Sequence, residues 1–500
     1  MDKNRVPVIV GAAQLTHREK TPTQLDPLRM MAEVSRMAAQ DALLSDLPRV
    51  DTLYVVNCIS KELKAPARDL SNLLRIEPAE AGYTLIGASA PQWLVNRVAE
   101  RIYRGQTEVA LICGAEAFYT HSEVPPMGHG MALYFSEDQA SLAKRFAGDV
   151  RKPITDLELR YGLVLPVTLY ALFENALRAH RGRSFEEHTA ELSSFCARFS
   201  EIAARNPHAW FRQAKTAAEL AAATDANRMI VYPYTKWMCS IMDVNQAAAV
   251  LLTSLAKAEA LGVPRERMVF LRGAGEAEDS FIVSERPDLW ASPSVADAVR
   301  QALGQGPISL DEVEFLDFYS CFPAAPRIAG ETLGLSPADS RPLTVTGGMP
   351  YFGGPGNNYA LHAICHVVER LRHSPRSFGL VQALSWFISK HAAGLYSGEP
   401  GQMPWKPQDS KAKARLYPRV RVVEKPQGAV RVESYALTYG RDGSPKSAVV
   451  FCRDAVGDRC LAAVDPEAGV LEQMAREEPI GRLGGISWDE SESKNRFHFS

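Results

Sequence analysis

Residues 83–117 read "YTLIGASAPQWLVNRVAERIYRGQTEVALICGAEA". An apolar run, strand-like, ends in small residues, and a helix begins at about Ala90. Leu94, Val95, Val98 and Ile102 share one face of that helix, and Gly105 follows its end. Thr107–Ala117 is then a continuous apolar strand of the kind buried on both faces. This strand–helix–strand rhythm implies a sheet covered by helices. The turn before the helix is the kind that presents a nucleophile to a substrate. Ser89 reads as the helix N-cap ahead of Pro91, with a nucleophile as the alternative.

The same alternation extends in both directions. "VPVIVGAAQ" and "VDTLYVVNC" are strands, and "PLRMMAEVSRMAAQDALL" between them has helical apolar spacing. Residues 120–225 break the rhythm. They are mostly helical, with a capping box at Ser184 and Glu187 and an apolar stripe through Leu192, Phe195, Cys196, Phe199 and Ile202. They read as an insertion over a sheet edge that shapes a pocket. A second α/β half starts near "RMVFLRGAGEA". "GEPGQMPWKPQDSKAKAR" is a Pro- and Lys-rich linker. The strand-rich last hundred residues, with a turn at Arg441–Ser444, read as a separate small barrel-like domain. "WDESESKNRFHFS" reads as a loose tail. The expected boundaries are 1–262, 263–402 and 403–500.

Five hundred residues predict about two to four domains. A hydrophobic content of 46% with 23% charged residues describes an ordinary globular chain. A net charge of −2 gives no reason to expect nucleic acid or an anionic membrane surface. No apolar run is long enough to span a bilayer, and the N-terminus runs almost directly into a strand. The eight cysteines contain no C-x-x-C pair, so a reducing, cytoplasmic setting is expected.

The ordered set "VGAAQ", "VALICGAEA", "DVNQAAAVLLTS", "DFYSCFP", "GGMPYFGGPGNN" and "FGLVQALSWF" resembles the thiolase superfamily over roughly residues 5–400. The whole chain resembles the thiolase-like proteins of type 1, often catalogued as acetyl-CoA acetyltransferases, which carry an extra C-terminal domain. That domain also resembles the OB-like domains accompanying some thiolase-like aldolases. The resemblance implies a duplicated fold in α-β-α-β-α layers, with the site between two similar halves. It further implies an acyl-CoA substrate, with coenzyme A part of the substrate and no separate cofactor. A homodimer through the core is implied as well, a contact the extra domain could replace or block.

Matched motif by motif, the resemblance also locates what is missing. A thiolase's nucleophilic cysteine at a helix N-terminus falls on Ala88. The histidine of its G-H-P loop falls on Gly354, within Gly353–Asn357. Its second cysteine, from a C-x-G strand end, falls near Leu384, with Trp386 in place of glycine, where an indole would fill substrate space. The Asn or His that orients a water in the oxyanion hole falls on Tyr319, with Cys321 two residues on. On a strand Tyr319 and Cys321 would share a face. Tyr319 reads either as a catalytic tyrosine, like those that replace cysteine in thiolase-like aldolases, or as a buried tyrosine beside an inert cysteine.

The remaining motifs are less specific. The Gly-rich loop Thr346–Asn358 has no G-K-[ST] and is no P-loop. It reads either as backbone N–H groups offered to a thioester oxygen or as a tight packed loop. His362, His366, Glu369 and His373 share a helical face that reads as solvated and polar rather than metal-binding. Lys390 and His391 read as structural, with lining of the cleft as the alternative. Two function classes follow: an acyl-CoA enzyme, whether acyltransferase-like or a Tyr319-assisted retro-aldolase, and a non-catalytic acyl-CoA or partner-binding module.

Overall fold

The computed structural model describes residues 2–19, 25–121, 133–134, 137–336, 339–401, 405–407, 417–464 and 469–500. Its strands in chain order are β1 (Pro7–Thr16), β2 (Thr52–Val55), β3 (Glu80–Tyr83), β4 (Val109–Ala117), β5 (Met229–Val231), β6 (Tyr234–Thr235), β7 (Asn245–Ser254) and β8 (Val269–Glu278). They continue as β9 (Val313–Phe318), β10 (Phe378–Ser385), β11 (Lys390–Ser397), β12 (Val430–Tyr439), β13 (Pro445–Arg453), β14 (Arg459–Val464), β15 (Leu483–Asp489) and β16 (Lys494–Phe499).

Nine strands form one sheet in the order β3-β2-β4-β7-β1-β8-β11-β10-β9. The halves meet where Val8 and Ile9 pair with Phe270 and Val269. Every residue of β4 and β7 is buried; their middles are apolar, while the polar Glu116, Asn245, Gln246, Thr253 and Ser254 are buried towards their ends. The helices Ala90–Tyr103 and Tyr359–His373 each touch strands of both halves and form the middle layer. Leu94, Val95, Val98 and Ile102 are fully buried, and so are the polar Gln92 and Asn96. Tyr396 donates to Gln92 at 2.8 Å and Gln92 to Asn96 at 2.9 Å, so the interior position leaves them satisfied. Outside, Pro27–Asp41 covers β1, β4 and β7, and Pro293–Gln305 covers β8 and β11. These outer helices lie directly on glycine. A Cβ on Gly11 would stand 2.0 Å from the Ala38 carbonyl oxygen, and one on Gly275 1.8 Å from that of Ala298.

The insertion is mostly helical where it is described. Pro166–His180 and Phe185–Arg205 are its long helices. The Ser184 capping box forms, with Ser184 N–H donating to Glu187 at 2.9 Å and Glu187 N–H to Ser184 at 3.2 Å. Residues 122–132 and 135–136 of the insertion, and most of the expected linker, lie outside the described residues.

The C-terminal strands close into a five-stranded barrel, β12-β13-β14-β16-β15 and back to β12, with the parallel β14–β16 pair of an OB-like fold. The Arg441–Ser444 turn joins β12 to β13, and Asp442 accepts from Ser444 N–H at 3.1 Å. The barrel is not self-contained. The β5–β6 hairpin adds to its edge, with Thr438 opposite Val231. Ser434 Oγ donates to the Leu172 carbonyl at 2.6 Å, and Asn175 to those of Tyr232 and Tyr435. The tail is not loose: β15 and β16 form a hairpin from Gly484–Phe499 to Asp489–Lys494. Alternation inside a polar sequence explains it. Asn495 and Phe497 point inward, and Asn495 donates to the Leu461 carbonyl at 2.9 Å. No described helix is long and apolar enough to cross a membrane.

Candidate active-site cavity

Four segments remote in sequence meet at the start of the Ala90–Tyr103 helix. Gly87 N–H donates to Asn357 Oδ1 at 2.9 Å, and Asn357 Nδ2 reaches the Asn57 carbonyl at 3.1 Å. Ser89 N–H donates to Ser385 Oγ at 2.9 Å, and the two hydroxyls lie 2.5 Å apart. Gly354 N–H donates to the Ile241 carbonyl at 2.7 Å. The turn, the Gly-rich loop and the end of β10 are thus brought together as the motif matches imply. The expected cap is absent. Ser89 occupies the N-cap position, but its side chain makes no capping bond because Ser385 engages it.

Beside this junction is a cavity of about 1010 Å³. Ala88, Gly354, Leu384, Tyr319, Cys321 and Asn357 all line it, and so does Gly356. Strand β9 ends at Phe318, so Tyr319 and Cys321 face the cavity from the following turn rather than from a strand. Trp386 forms part of the wall of this cavity, and the indole limits the space beside Leu384 without closing the cavity. Ser89 and His391 lie instead on a second cavity of about 430 Å³, which shares Ile86, Gly87 and Trp386 with the first. Gly353 lines neither, and a Cβ there would meet Gln246 Oε1 at 2.5 Å.

The insertion supplies the other walls with Leu165, Val167, Tyr170 and Phe211, followed by Ile230, Trp237 and Cys239. Sequence reasoning placed a pocket under the insertion without finding these residues. Their signal is only apolarity, which core residues share. Leu165 and Phe211 are exposed at the rim, and so is Lys236, which forms no ion pair among the described residues. Lys215 lies 3.5 Å from Glu219.

The position matched to the thiolase histidine is tightly surrounded. A Cβ on Gly354 would lie 2.2 Å from Ser240 Oγ and 3.1 Å from Met349 Cε. Several amides of the Gly-rich loop already have protein partners. Gly348 N–H goes to Thr346 Oγ1, Met349 N–H to Ser320 Oγ, and Gly356 N–H to the Gly354 carbonyl. These N–H groups are not offered to a ligand. Asp317 anchors its start, accepting from Thr344 Oγ1 and Val345 N–H at 3.0 Å each and from the Tyr359 hydroxyl at 3.2 Å. Burial still pushes the Asp317 carboxyl up to about 6, against these hydrogen bonds.

The phenols and thiols lining the cavity are all shifted towards their protonated forms. Burial raises the Tyr319 phenol well above its usual range, with Cys321 and Tyr359 adding to the effect, and its hydroxyl bonds to no described residue. Burial raises Tyr170 and Tyr351 likewise, and pushes the Cys321 and Cys239 thiols up to about 12. Among the described residues no carboxylate and no imidazole lines the cavity.

The histidine face expected to be solvated is half interior. His362 and His366 are buried, while Glu369 and His373 are exposed. Gln14 meets His362 and Asn206 meets His366, both at 2.9 Å. His391 is buried and held by Gln382 at 2.9 Å and Ser292 at 3.1 Å, and Lys390 pairs with Asp149 at 2.8 Å. No group of metal-ligating residues is assembled among the described residues.

Residues 412–491 match the family model of the thiolase-like protein type 1 additional C-terminal domain. No curated protein matches the chain. Among solved structures, an Ltp2–ChsH2(DUF35) aldolase is 17% identical over 79% of this chain and 98% of its own, with a TM-score of 0.60. An acetyl-CoA acetyltransferase from Syntrophomonas wolfei is 15% identical over 79% of this chain and 99% of its own, with a TM-score of 0.56. Both show the thiolase-like fold. A monomeric SCP2-thiolase-like protein type 1 from Mycobacterium smegmatis is 30% identical over 100% of both chains, with a TM-score of 0.85. With that match along its whole length, the chain belongs to the SCP2-thiolase-like proteins of type 1.

Proposed function

We propose that this protein binds an acyl-CoA ester non-covalently, with the acyl chain in the large cavity, and does not perform thiolase chemistry. The observation that carries this reading is the chemistry of the lining. A Claisen or retro-aldol step needs a group that removes a proton. The thiols and phenols in the cavity all hold theirs at neutral pH, and neither a carboxylate nor an imidazole is among its described lining residues. Ala88 cannot attack a thioester, and Gly354 supplies no base. What remains is an apolar chamber with Lys236 at its rim, which suits an amphiphile with an anionic head. The homologue's monomeric state supports a single-chain binder.

Calorimetry with acyl-CoA esters, paired with mass spectrometry of β-ketoacyl- and β-hydroxyacyl-CoA after incubation, tests this. Binding with unchanged esters is expected, and Tyr319→Phe is expected to bind within about threefold of the natural chain. Turnover that Tyr319→Phe abolishes would replace this reading with tyrosine-assisted carbon–carbon cleavage.

A further inference from the structure

The two cavities are separated by a thin wall, and its central member is held in an unusual conformation. Trp386 and Ile388, neither of them glycine, adopt φ of +56° and +57° in the turn between β10 and β11. Such backbone persists only where the surroundings enforce it. Here they do. The Tyr170 hydroxyl donates to the Trp386 carbonyl at 3.3 Å, Arg286 donates to the Ile388 carbonyl, and Ser389 N–H donates to that of Ser385 at 3.3 Å. The indole packs edge-on against Tyr134, with ring centres 5.1 Å apart. Tyr134 is itself fixed, donating to the Ile86 and Asp149 carbonyls at 3.1 and 3.2 Å.

The two sides of this wall differ in chemistry. The larger cavity is apolar, whereas the smaller one carries Ser89, Ser385, Asp149, Glu276, Glu278 and Lys390. A hydrocarbon chain that enters past Leu165 and Phe211 meets the indole before it reaches any of these charges. We propose that Trp386 is the specificity-determining end wall of the acyl site. It fixes the longest chain the cavity accepts and keeps that chain out of the polar chamber behind it. This rests on the acyl-binding reading above and goes beyond it by assigning the length limit to one braced side chain.

The experiment is calorimetric titration of the full chain with straight-chain saturated acyl-CoA esters, lengthened stepwise. In the natural chain each added methylene tightens binding by about fourfold until a break, after which affinity falls. Trp386→Ala moves the break to longer chains, tightening the first esters beyond the natural break by about tenfold or more. Ile86→Ala thins the same wall while leaving Trp386 in place, so it moves the break in the same direction should Trp386→Ala fail to fold. A break that stays put in a folded wall variant overturns the inference and leaves the acyl-binding reading standing. Absence of any chain-length dependence in the natural chain overturns both.

Discussion

At Gly354 the missing side chain is a packing fact as much as a chemical one. Ser240 Oγ and Met349 Cε crowd the space a Cβ would need and must shift to admit the family's histidine, which would still find no thiol to activate at Ala88. Gly354→His is expected to cost about 1–3 kcal/mol through overpacking, read as a lower melting temperature, and to yield no thiolysis of acetoacetyl-CoA. His391 makes a separate prediction about acid. Burial lowers its imidazole to about 4, whereas in an unfolded chain it takes its proton near 6.5. Between those values the unfolded state binds a proton that the folded state refuses, so stability is lost as pH falls from about 6.5 towards 4. His391→Gln can keep neutral hydrogen bonds to Gln382 and Ser292 without titrating. It is therefore expected to shrink the fall in melting temperature between about pH 7 and pH 5. Gln382 and Ser292 also show why single residues were hard to read in the sequence. Ser89 looked like a cap because Pro91 is adjacent, but Ser385, 296 positions away, takes its hydroxyl. The histidine face looked solvated because nothing in its spacing announces Gln14 or Asn206.

Elements were more legible than residues, for a physical reason. A strand buried on both faces is mostly apolar, and "VALICGAEA" declares that locally, with only Glu116 needing the Ile59 and Ser60 N–H groups to satisfy it. The Ser184–Glu187 box is equally local. The β15–β16 hairpin escaped notice because only alternate residues of a charged stretch turn inward. Contacts between elements were invisible for the same reason: they lie in no one stretch of chain. Arg459 is the clearest case. It is fully buried, pairs with Glu433 through Nη2 and Nε at 2.6 and 2.7 Å, and donates from Nη1 to the Ser284 carbonyl at 2.9 Å across the junction with the second half. Arg459→Met is expected to cost about 3 kcal/mol, because it leaves buried acceptors unpaired and the Glu433 charge with only Arg453. Urea denaturation reads the loss, and earlier protease cutting between the second half and the barrel would locate it.

For the molecule as a whole, the shared edge between barrel and insertion matters most. A chain ending at residue 416 would expose β5, β6 and the face of the Pro166–His180 helix that β12 covers. Such a truncation is expected to aggregate, seen as void-volume material in size-exclusion chromatography, where the full chain elutes as one species. The same edge sets a timetable for synthesis. Val231 finds its partner Thr438 only after about 200 further residues have been made, and at ribosomal speeds that is on the order of tens of seconds. During that interval a nascent hairpin and an apolar helix face have no native cover, while the first half of the large sheet is already complete enough to fold. The yield of native protein should therefore depend on holdase chaperones and on how quickly the last quarter of the message is translated.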